Sequence, residues 1–358
     1  MTSESTPVDI LLRLSQVDGF TARHLRMLRF RERSPLLPGV RDAGGPAILR
    51  KAEDALVSRQ AGEKASRIRD ACGAAGIHVI PLGSDGYPAS LAAIPDAPLV
   101  LYRLGAGTHG GNTVAIVGSR APTSPGKEFA GLLAAGLAAA GWTVVSGMAR
   151  GVDTAAHEGA LRGGGNTLAV LGCGVDVVYP PEAGRLRERI IGRGALLAEV
   201  PPGTLPFPRN FPARNRIISG ISRGVVVAEA PSRSGALITA RFALDQGKEV
   251  MAVPGNPLFP HTAGSNGLIR EGASPVTSAE DVVGFLGWTF PVPREESRER
   301  EILRFLTRPR HVDEISEVLG IAVPDLLPCL LEMEFGKLLE RRAGDYYKKM
   351  SVGRGSNP

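Results

Sequence analysis

The sequence predicts an α/β protein: a doubly wound, Rossmann-like parallel sheet with an N-terminal helical domain and a C-terminal winged helix. Between residues 112 and 287, short Val/Ile/Leu runs alternate with helical stretches. Continuous apolar strands separated by helices are typical of a parallel sheet covered on both faces. Helical sequence precedes this block, and a pattern of three short helices and a wing follows it.

Composition favours a cytoplasmic protein with an anionic partner. The chain has 358 residues, enough for two or three domains, and a net charge of +6. Cys72, Cys173 and Cys329 lie far apart without a CxxC pair, so neither a zinc site nor a disulfide framework is predicted. The N-terminus lacks the features of a signal peptide, and no stretch approaches the roughly 20 apolar residues that span a bilayer. We therefore expect no contact with a membrane.

The N-terminal block, residues 1–105, is predicted to be a helical domain. Residues 10–16 and 21–30 are expected to form two short helices joined by a turn at Gly19, and more helix follows over residues 48–72. This pattern is typical of a helix-hairpin-helix, whose glycine turn can present backbone N–H groups to a phosphate. An ordinary helical hairpin is the simpler alternative.

The central block, residues 112–287, should form the Rossmann-like domain. Strands are predicted at 114–117, 143–146, 167–171, 196–200, 225–229 and 250–253. Helices are predicted at 126–140, 154–162, 184–192, 213–222 and 236–246. In such sheets, ligands bind beyond the carboxyl ends of the strands.

The last block, residues 296–350, is predicted to be a winged-helix domain after a proline-rich, charged linker. Its helices are expected at 298–306, 312–319 and 325–334, with a wing at 337–347. Residues 311–336 contain six acidic residues and no Lys or Arg. Because a helix that reads the DNA major groove normally carries positive charge, we expect this domain to pack or to bind a protein. Pro328 should also weaken the last helix unless that helix starts late.

An arginine-rich stretch between two of the predicted strands is the strongest indication of a binding site. Between Val200 and Ala228 there are four arginines and no acidic residue, and Phe207 and Phe211 are interleaved with them. Arginine holds phosphate, and aromatic faces stack on unpaired bases, so the stretch suits single-stranded nucleic acid. The alternative is a solvated arginine loop with two core phenylalanines.

Each predicted strand except the fourth, which the arginine stretch follows, ends in a small, Gly- or Ser-rich turn. Glycine allows a backbone to approach a phosphate, and a helix N-terminus attracts one. Several of these turns carry an arginine. We expect the following arginines to converge on a polyanion: Arg120, Arg150, Arg214, Arg216 and Arg233.

The enzyme alternatives find little support in the sequence. Neither a GxGxxG after the first strand nor a Walker A motif is present. Asp153 and His157 share a helix face, but a metal site needs a third ligand that the sequence does not suggest. Glu229 is expected to orient Arg214 or Arg216 through a salt bridge. We predict no catalytic residue, no metal and no cofactor.

Six motifs, taken in order along the central block, resemble the DNA processing protein A family (DprA, also called Smf). They are VAIVGSR at 114–120, SGMARGVDTAAH at 146–157, LGCGVD at 171–176, FPARNRIISG at 211–220, SGALITA at 234–240 and VPG at 253–255. The flanking blocks match more loosely, as a SAM- or hairpin-like domain and a winged helix. Related proteins often carry a lysine just before the Phe-Pro, where this chain has Arg209 nearby.

The resemblance implies a non-enzymatic protein that binds and protects incoming single-stranded DNA in natural transformation and loads the RecA recombinase. It also implies a homodimer, with Leu268 and Ile269 near the dimer and RecA-binding surface. The predicted nucleic-acid-binding residues are Gly118, Ser119, Arg120, Gly147, Arg150, Arg209, Phe211, Arg214, Asn215, Arg216, Ser219, Ser234, Gly235 and Thr239.

Two rival functions remain open at this point. A phosphoribohydrolase of the lysine-decarboxylase-like group would share the sheet, but its PGGxGTxxE motif is replaced here by APSRSGALIT at 230–239, without the glutamate. A protein-interaction scaffold would use the acidic winged helix, although the arginine stretch would then have no role.

Overall fold

The structure is a computed structural model that describes residues 7–25, 47–107, 111–287, 302–335, 338–342 and 344–350. The chain divides into two compact units, residues 1–288 and 289–358, which are described separately. Within the described residues, no helix combines the length and hydropathy needed to cross a bilayer.

The first unit begins with helices and then enters the sheet. The helices are α1 (Pro7–Leu14), α2 (Ala47–Val57) and α3 (Arg59–Ala74), followed by strand β1 (His78–Pro81), the short helix α4 (Ala89–Ala92) and strand β2 (Val100–Leu104). Residues 22–25 are helical, and the rest of the helix predicted at 21–30 lies outside the described residues. Gly19 has φ +76°, as the predicted turn requires.

The central block alternates strands and helices as predicted. Its strands are β3 (Thr113–Val117), β4 (Thr143–Ser146), β5 (Thr167–Leu171), β6 (Ala195–Ala198), β7 (Gly224–Val227), β8 (Glu249–Ala252) and β9 (Ser274–Pro275). Its helices are α5 (Ser124–Ala139), α6 (Val152–Arg162), α7 (Gly184–Arg193), α8 (Asn210–Ile221), α9 (Ala236–Asp245), α10 (Ala263–Arg270) and α11 (Ala279–Phe285).

In the described residues these strands form one sheet in the order β1-β2-β6-β5-β4-β3-β7-β8-β9. Every pair from β6 to β9 is parallel, whereas β1 and β2 are antiparallel additions at one edge. The sheet therefore crosses the boundary predicted between residues 105 and 112. From β3 the chain winds toward β6 and then returns to β7 on the other side of β3. The predicted doubly wound α/β fold is confirmed, and its switch point lies between β3 and β7.

Burial explains why the central strands are apolar throughout. Each residue of β3, β4, β5, β6 and β7 is buried, because helices cover both faces of the sheet. Helices α5 and α6 pack closely on one face: a Cβ at Gly159 would collide with the Gly131 carbonyl oxygen. Thr123 caps α5, with its Oγ1 accepting a hydrogen bond from the Gly126 N–H at 3.1 Å.

The second unit has the elements of a winged helix. Residues 302–305 are helical, and 298–301 of the predicted helix lie outside the described residues. Strand β10 (Arg310–His311), helices α12 (Val312–Leu319) and α13 (Val323–Phe335), and strands β11 (Leu339–Arg342) and β12 (Tyr346–Lys349) follow. The strands pair in the order β10-β12-β11. Helix α13 begins two residues before the predicted start and contains Pro328 in its interior.

Candidate nucleic-acid interface

A cleft of about 640 Å³ opens at the carboxyl edge of the sheet, at the switch point between β3 and β7. The turn after β3 forms one wall, helix α8 the second, and the start of α9 the third. Of the predicted site residues, the structure brings together at this cleft Gly118, Ser119, Arg120, Phe211, Arg214, Asn215, Ser234, Gly235 and Thr239.

The turn after β3 is held close to β7 and α6. The Ser119 N–H donates to the Glu229 carbonyl oxygen at 2.7 Å, and a Cβ at Gly118 would lie 2.8 Å from that same oxygen. Glycine is therefore required at position 118, where the chain passes between two elements. Arg120 follows, exposed to solvent, and within the described residues it forms no ion pair. Its guanidinium carbon lies 5.9 Å from the centre of the Phe211 ring.

Arg214 is a buried cation at the floor of the cleft. Its side chain donates hydrogen bonds to the carbonyl oxygens of Gly147, at 2.7 Å, and of Val170. Below it, the Asp153 carboxylate accepts from the Gly147 N–H at 3.1 Å. Burial raises the pKa of Asp153 above its ordinary value, and the nearby Arg214 charge opposes that rise. The Arg214 charge is thus compensated from beneath by Asp153 and by carbonyl dipoles.

Phe211 stands between the cleft and a smaller pocket behind it. Its ring packs on Gly172, where a Cβ would come within 3.0 Å of the ring. The Tyr179 ring is its other aromatic neighbour, with 5.3 Å between ring centres and 45° between ring planes. Arg120, Tyr179, Phe211 and Arg214 line both the cleft and the small pocket.

The sequence reasoning did not identify Tyr179. A signal was present, because Tyr179 ends the segment that leaves β5 through the glycine turn Gly172-Cys173-Gly174. That segment begins at the same sheet edge as the other loops of the cleft. An aromatic residue in such a loop is a candidate for stacking on a base.

The opposite wall comes from the start of helix α9. The Ser234 Oγ accepts a hydrogen bond from the Ala236 N–H at 3.2 Å, and Gly235 is exposed beside it. Thr239 lies one turn along and is 1% exposed. These groups give this wall polar atoms but no charge, so the cations of the cleft lie on the side of Arg120 and Arg214.

Arg216 does not line the cleft, although we predicted it there. Residues i and i+2 of a helix are turned by about 200° from each other, so Arg214 and Arg216 leave α8 on opposite sides. The Arg216 guanidinium pairs with Asp96 at 3.2 Å and with Glu199 at 2.7 Å, and its side chain is 9% exposed. Its role in the structure is to join α8 to β6 and to the loop before β2.

Four further predicted site residues also lie outside the cleft. Ser219 is fully buried, and its hydroxyl donates to the Arg216 carbonyl oxygen at 3.2 Å. Arg209 is exposed, with its guanidinium 5.9 Å from the Phe207 ring. Arg150 lines only the small pocket and pairs with Glu182 at 2.5 Å. Gly147 also lines only the small pocket, beneath Arg214.

The expectation that Glu229 orients an arginine is wrong. The Glu229 carboxylate accepts hydrogen bonds from the N–H of Thr123, at 2.8 Å, and from its Oγ1, at 2.5 Å. Both groups belong to the residue that caps α5. Glu229 therefore fixes the start of that helix beside the turn after β3, and within the described residues it forms no ion pair with an arginine of α8.

His157 is a neutral core residue. The Thr167 hydroxyl donates to the Val144 carbonyl oxygen, so its Oγ1 accepts the proton of His157 Nδ1 at 2.7 Å. Burial lowers the pKa of His157 to about 3. Among the described residues, no group of three or more His, Cys, Asp or Glu side chains is placed to hold a metal ion.

Leu268 and Ile269, the predicted dimer and RecA surface, lie on α10. Both side chains are half-buried and pack partly against the core beneath α10. Nearby, Leu258 is 83% exposed and Phe259 is 54% exposed. The assignment of this region to an interface stays a prediction.

The fold and the cleft define a Rossmann-like protein whose cleft is lined by arginine and aromatic side chains, together with a winged-helix unit. The chain belongs to the DNA recombination-mediator protein A family, whose model matches residues 78–287, from β1 to the end of the first unit. The DprA winged helix domain matches residues 289–345. The resemblance seen in the sequence motifs is confirmed.

Curated relatives carry the same family names. Protein Smf of Escherichia coli is 37% identical over 289 residues, which cover 76% of this chain and 77% of that protein. DNA processing protein DprA of Streptococcus pneumoniae is 45% identical over 206 residues, covering 56% of this chain and 71% of that protein. Protein Smf of Synechocystis is 42% identical over 222 residues, and there the match spans only 55% of the relative's length.

The solved structures similar to this one include two of DNA processing protein A. The X-ray structure of DNA processing protein A from Streptococcus pneumoniae matches with a TM-score of 0.63 and 35% identity, covering 79% of this chain and 98% of that one. A second structure concerns the binding of single-stranded DNA by DNA processing protein A from Helicobacter pylori. It matches with a TM-score of 0.53 and 29% identity. It covers 59% of this chain and 95% of that one.

Proposed function

We propose that this protein binds single-stranded DNA in the cleft between β3 and β7, protects incoming DNA during natural transformation, and loads the RecA recombinase onto it. It acts without catalysis, in the cytoplasm, as a homodimer. The Helicobacter pylori relative's binding of single-stranded DNA supports the choice of ligand.

The observation that carries the proposal is the pairing of Arg120 with Phe211 at the mouth of the cleft. An exposed guanidinium without an ion-pair partner in the described residues suits a phosphate, and it lies 5.9 Å from the centre of a half-buried ring. Phosphate contacts together with base stacking bind single strands with little sequence preference. A duplex offers phosphates but no free base faces, so the cleft favours the single strand.

A non-catalytic role is supported by what the side chains around the cleft already do. Asp153 accepts two backbone hydrogen bonds beneath Arg214, and each carboxylate oxygen of Glu229 accepts one hydrogen bond from Thr123. His157 is buried and neutral. None of these groups is left poised as a general base beside a nucleophile. The rival phosphoribohydrolase would require the glutamate that the 230–239 motif lacks.

The RecA part of the proposal rests on family membership, and the exposed Leu258 and Phe259 near α10 offer apolar surface for a protein contact. RecA loading is tested by measuring the rate of RecA filament formation on single-stranded DNA with and without this protein. An unchanged rate of filament formation would remove RecA loading from the proposal and leave DNA binding intact.

DNA binding is tested by fluorescence anisotropy with a labelled oligothymidylate and a duplex of equal length. We expect the single strand to bind at least about tenfold more tightly than the duplex, and Arg120→Gln to weaken it about tenfold. Arg59→Gln is the matched control, because Arg59 is 94% exposed and does not line the cleft. Equal affinity for the duplex, an inert Arg120→Gln, or nucleotide hydrolysis in a parallel assay would contradict the proposal.

A further inference from the structure

We propose that Tyr179 is a second stacking surface of the cleft, which takes the base next to the one that stacks on Phe211. The inference rests on the proposed binding of single-stranded DNA and extends it from one base to two neighbouring bases. It assigns a role to a residue that the sequence motifs did not single out.

Tyr179 occupies a position that a stacking residue requires. Its ring is half-buried, and it lines both the open cleft and the small pocket behind Phe211. Within the described residues its hydroxyl forms no hydrogen bond to protein. The ring is therefore packed against Phe211 and partly open to the cleft, and Tyr179 lies within electrostatic reach of Arg150.

The segment that carries Tyr179 is fixed at several points. The Gly174 N–H donates to the Thr204 carbonyl oxygen at 2.8 Å, and the Val177 N–H donates to the Gly174 carbonyl oxygen at 3.0 Å. The Asp176 carboxylate accepts from the Gly203 N–H at 2.9 Å. These contacts hold the loop before a strand binds, which lowers the entropy lost on binding.

The geometry of the two rings indicates two bases rather than one. The ring centres lie 5.3 Å apart, but the planes are inclined by 45°. A single flat base parallel to Phe211 would meet the Tyr179 ring at that same angle, so it cannot stack on both. Two successive bases of an unstacked single strand can each lie flat on its own ring.

Cations lie on both sides of this aromatic pair. The Arg120 guanidinium carbon is 5.9 Å from the centre of the Phe211 ring, while Arg150 lines the small pocket together with Tyr179. Glu182 holds the Arg150 guanidinium through two hydrogen bonds, at 2.5 and 3.1 Å. Arg120, which forms no ion pair within the described residues, suits a phosphate beside the base on Phe211, whereas Arg150 near Tyr179 is already paired with Glu182.

The test counts bases directly. Short single strands of abasic linkers are prepared with no base, with one thymine, with two adjacent thymines, and with two thymines held apart by several linkers. Affinities are measured for the full-length wild type and for Tyr179→Leu, Tyr179→Phe and Phe211→Leu, and thermal unfolding is recorded for each. A strand with a single thymine can slide until that base reaches the aromatic pair. The increase in affinity from one thymine therefore does not depend on where the thymine lies in the strand.

For the wild type, we expect the second adjacent thymine to strengthen binding by about fivefold or more beyond the first. Tyr179→Leu should abolish the gain from the second thymine and retain the gain from the first. Tyr179→Phe should keep both gains, because stacking uses the ring and not the hydroxyl. A purely structural Tyr179, which only supports Phe211, would instead lose the gain from the first thymine, and that outcome overturns the inference.

A second variant keeps the test decisive if Tyr179→Leu does not fold. Tyr179→Trp places a fluorescent ring at the same position, and its added emission should be quenched by strands with two adjacent thymines more than by strands with one. Equal quenching by both strands, or none, would contradict the inference. Failure of the wild type to bind oligothymidylate at all would instead refute the proposed function on which the inference depends.

Discussion

The guanidinium of Arg214 lies directly against the backbone of Gly147, whose carbonyl oxygen accepts a hydrogen bond from Nη1 at 2.7 Å. A Cβ built on Gly147 would collide with the guanidinium atoms. Residue 147 also donates its N–H to Asp153 at 3.1 Å. Glycine at 147 thus leaves room for the cation at the floor of the cleft, and the same residue connects that cation to the carboxylate beneath it.

Gly147→Ala should therefore displace Arg214 from the floor of the cleft. We expect single-strand affinity to fall about tenfold and stability to fall by about 1–3 kcal/mol, since a methyl group is forced into a filled space. Anisotropy and urea unfolding measure the two effects. Gly192→Ala is the matched control, because a Cβ there meets no atom within 4 Å. An unchanged affinity for Gly147→Ala would show that the position of Arg214 does not matter for binding.

Arg216→Met should destabilise the protein without weakening the cleft. The change leaves Asp96 and Glu199 without their shared cation, and because both carboxylates are partly exposed we expect a loss of about 1–3 kcal/mol. Affinity per folded molecule should stay within about twofold of the wild type, as measured well below the melting temperature. A tenfold loss of affinity with normal stability would return Arg216 to the DNA site.

His157 should make the protein less stable in acid. Its pKa is about 3 in the folded state against an ordinary value of 6.5, so the unfolded chain binds a proton that the folded chain excludes. The stability it contributes is complete above pH 6.5 and is lost as the pH falls from 6.5 toward 3, by about 1.4 kcal/mol per pH unit.

The difference between wild type and His157→Gln isolates this effect from the carboxylates. Urea unfolding between about pH 7 and 5 should give a steeper loss for the wild type, although His157→Gln will start from a lower stability. If the free energy of unfolding falls equally with pH in both proteins, His157 is protonated or hydrated in the folded state.

Ending the chain after residue 288 should leave single-strand binding nearly unchanged. The residues that line the cleft precede that point, and the chain up to 288 forms its own compact unit. In the winged-helix unit, α12 begins with Asp313 and Glu314, and α13 exposes Leu327 and Leu331 at 40% and 49%. Such a surface repels phosphate and suits a protein contact. A loss greater than about tenfold would show that this unit does hold DNA.

The sequence predicted strand bounds best in the part of the sheet that helices cover on both faces. Strands β4 and β5 have the predicted bounds, because continuous apolar runs such as Thr167–Leu171 fit only a covered parallel strand. Strands β1 and β2 were missed. Their pairing is non-local and antiparallel at the sheet edge, and Val100–Leu104 ends in residues that are only half-buried. Composition within such a segment does not reveal its partner strand.

For the site, the motifs located the loops of the cleft but not the direction of each side chain. Helix α8 begins at Asn210 rather than at 213, but either start places Arg214 and Arg216 two residues apart on one helix and therefore on opposite sides of it. Arg214 lies at the cleft, and Arg216 lies in an ion-pair network on the far side. Tyr179 was missed because its approach to Phe211 depends on how the loop after β5 packs against the start of helix α8.

The salt dependence of single-strand affinity tests the central claim most directly. If Arg120 and Arg214 each neutralise one phosphate, log affinity plotted against log salt should have a slope of about −1.4, and Arg120→Gln should make it less steep by about 0.7. Arg59→Gln, on the exposed surface of α3, should leave the slope unchanged. An affinity insensitive to salt, or a slope that Arg120→Gln does not alter, would contradict the assignment of this cleft to the DNA backbone.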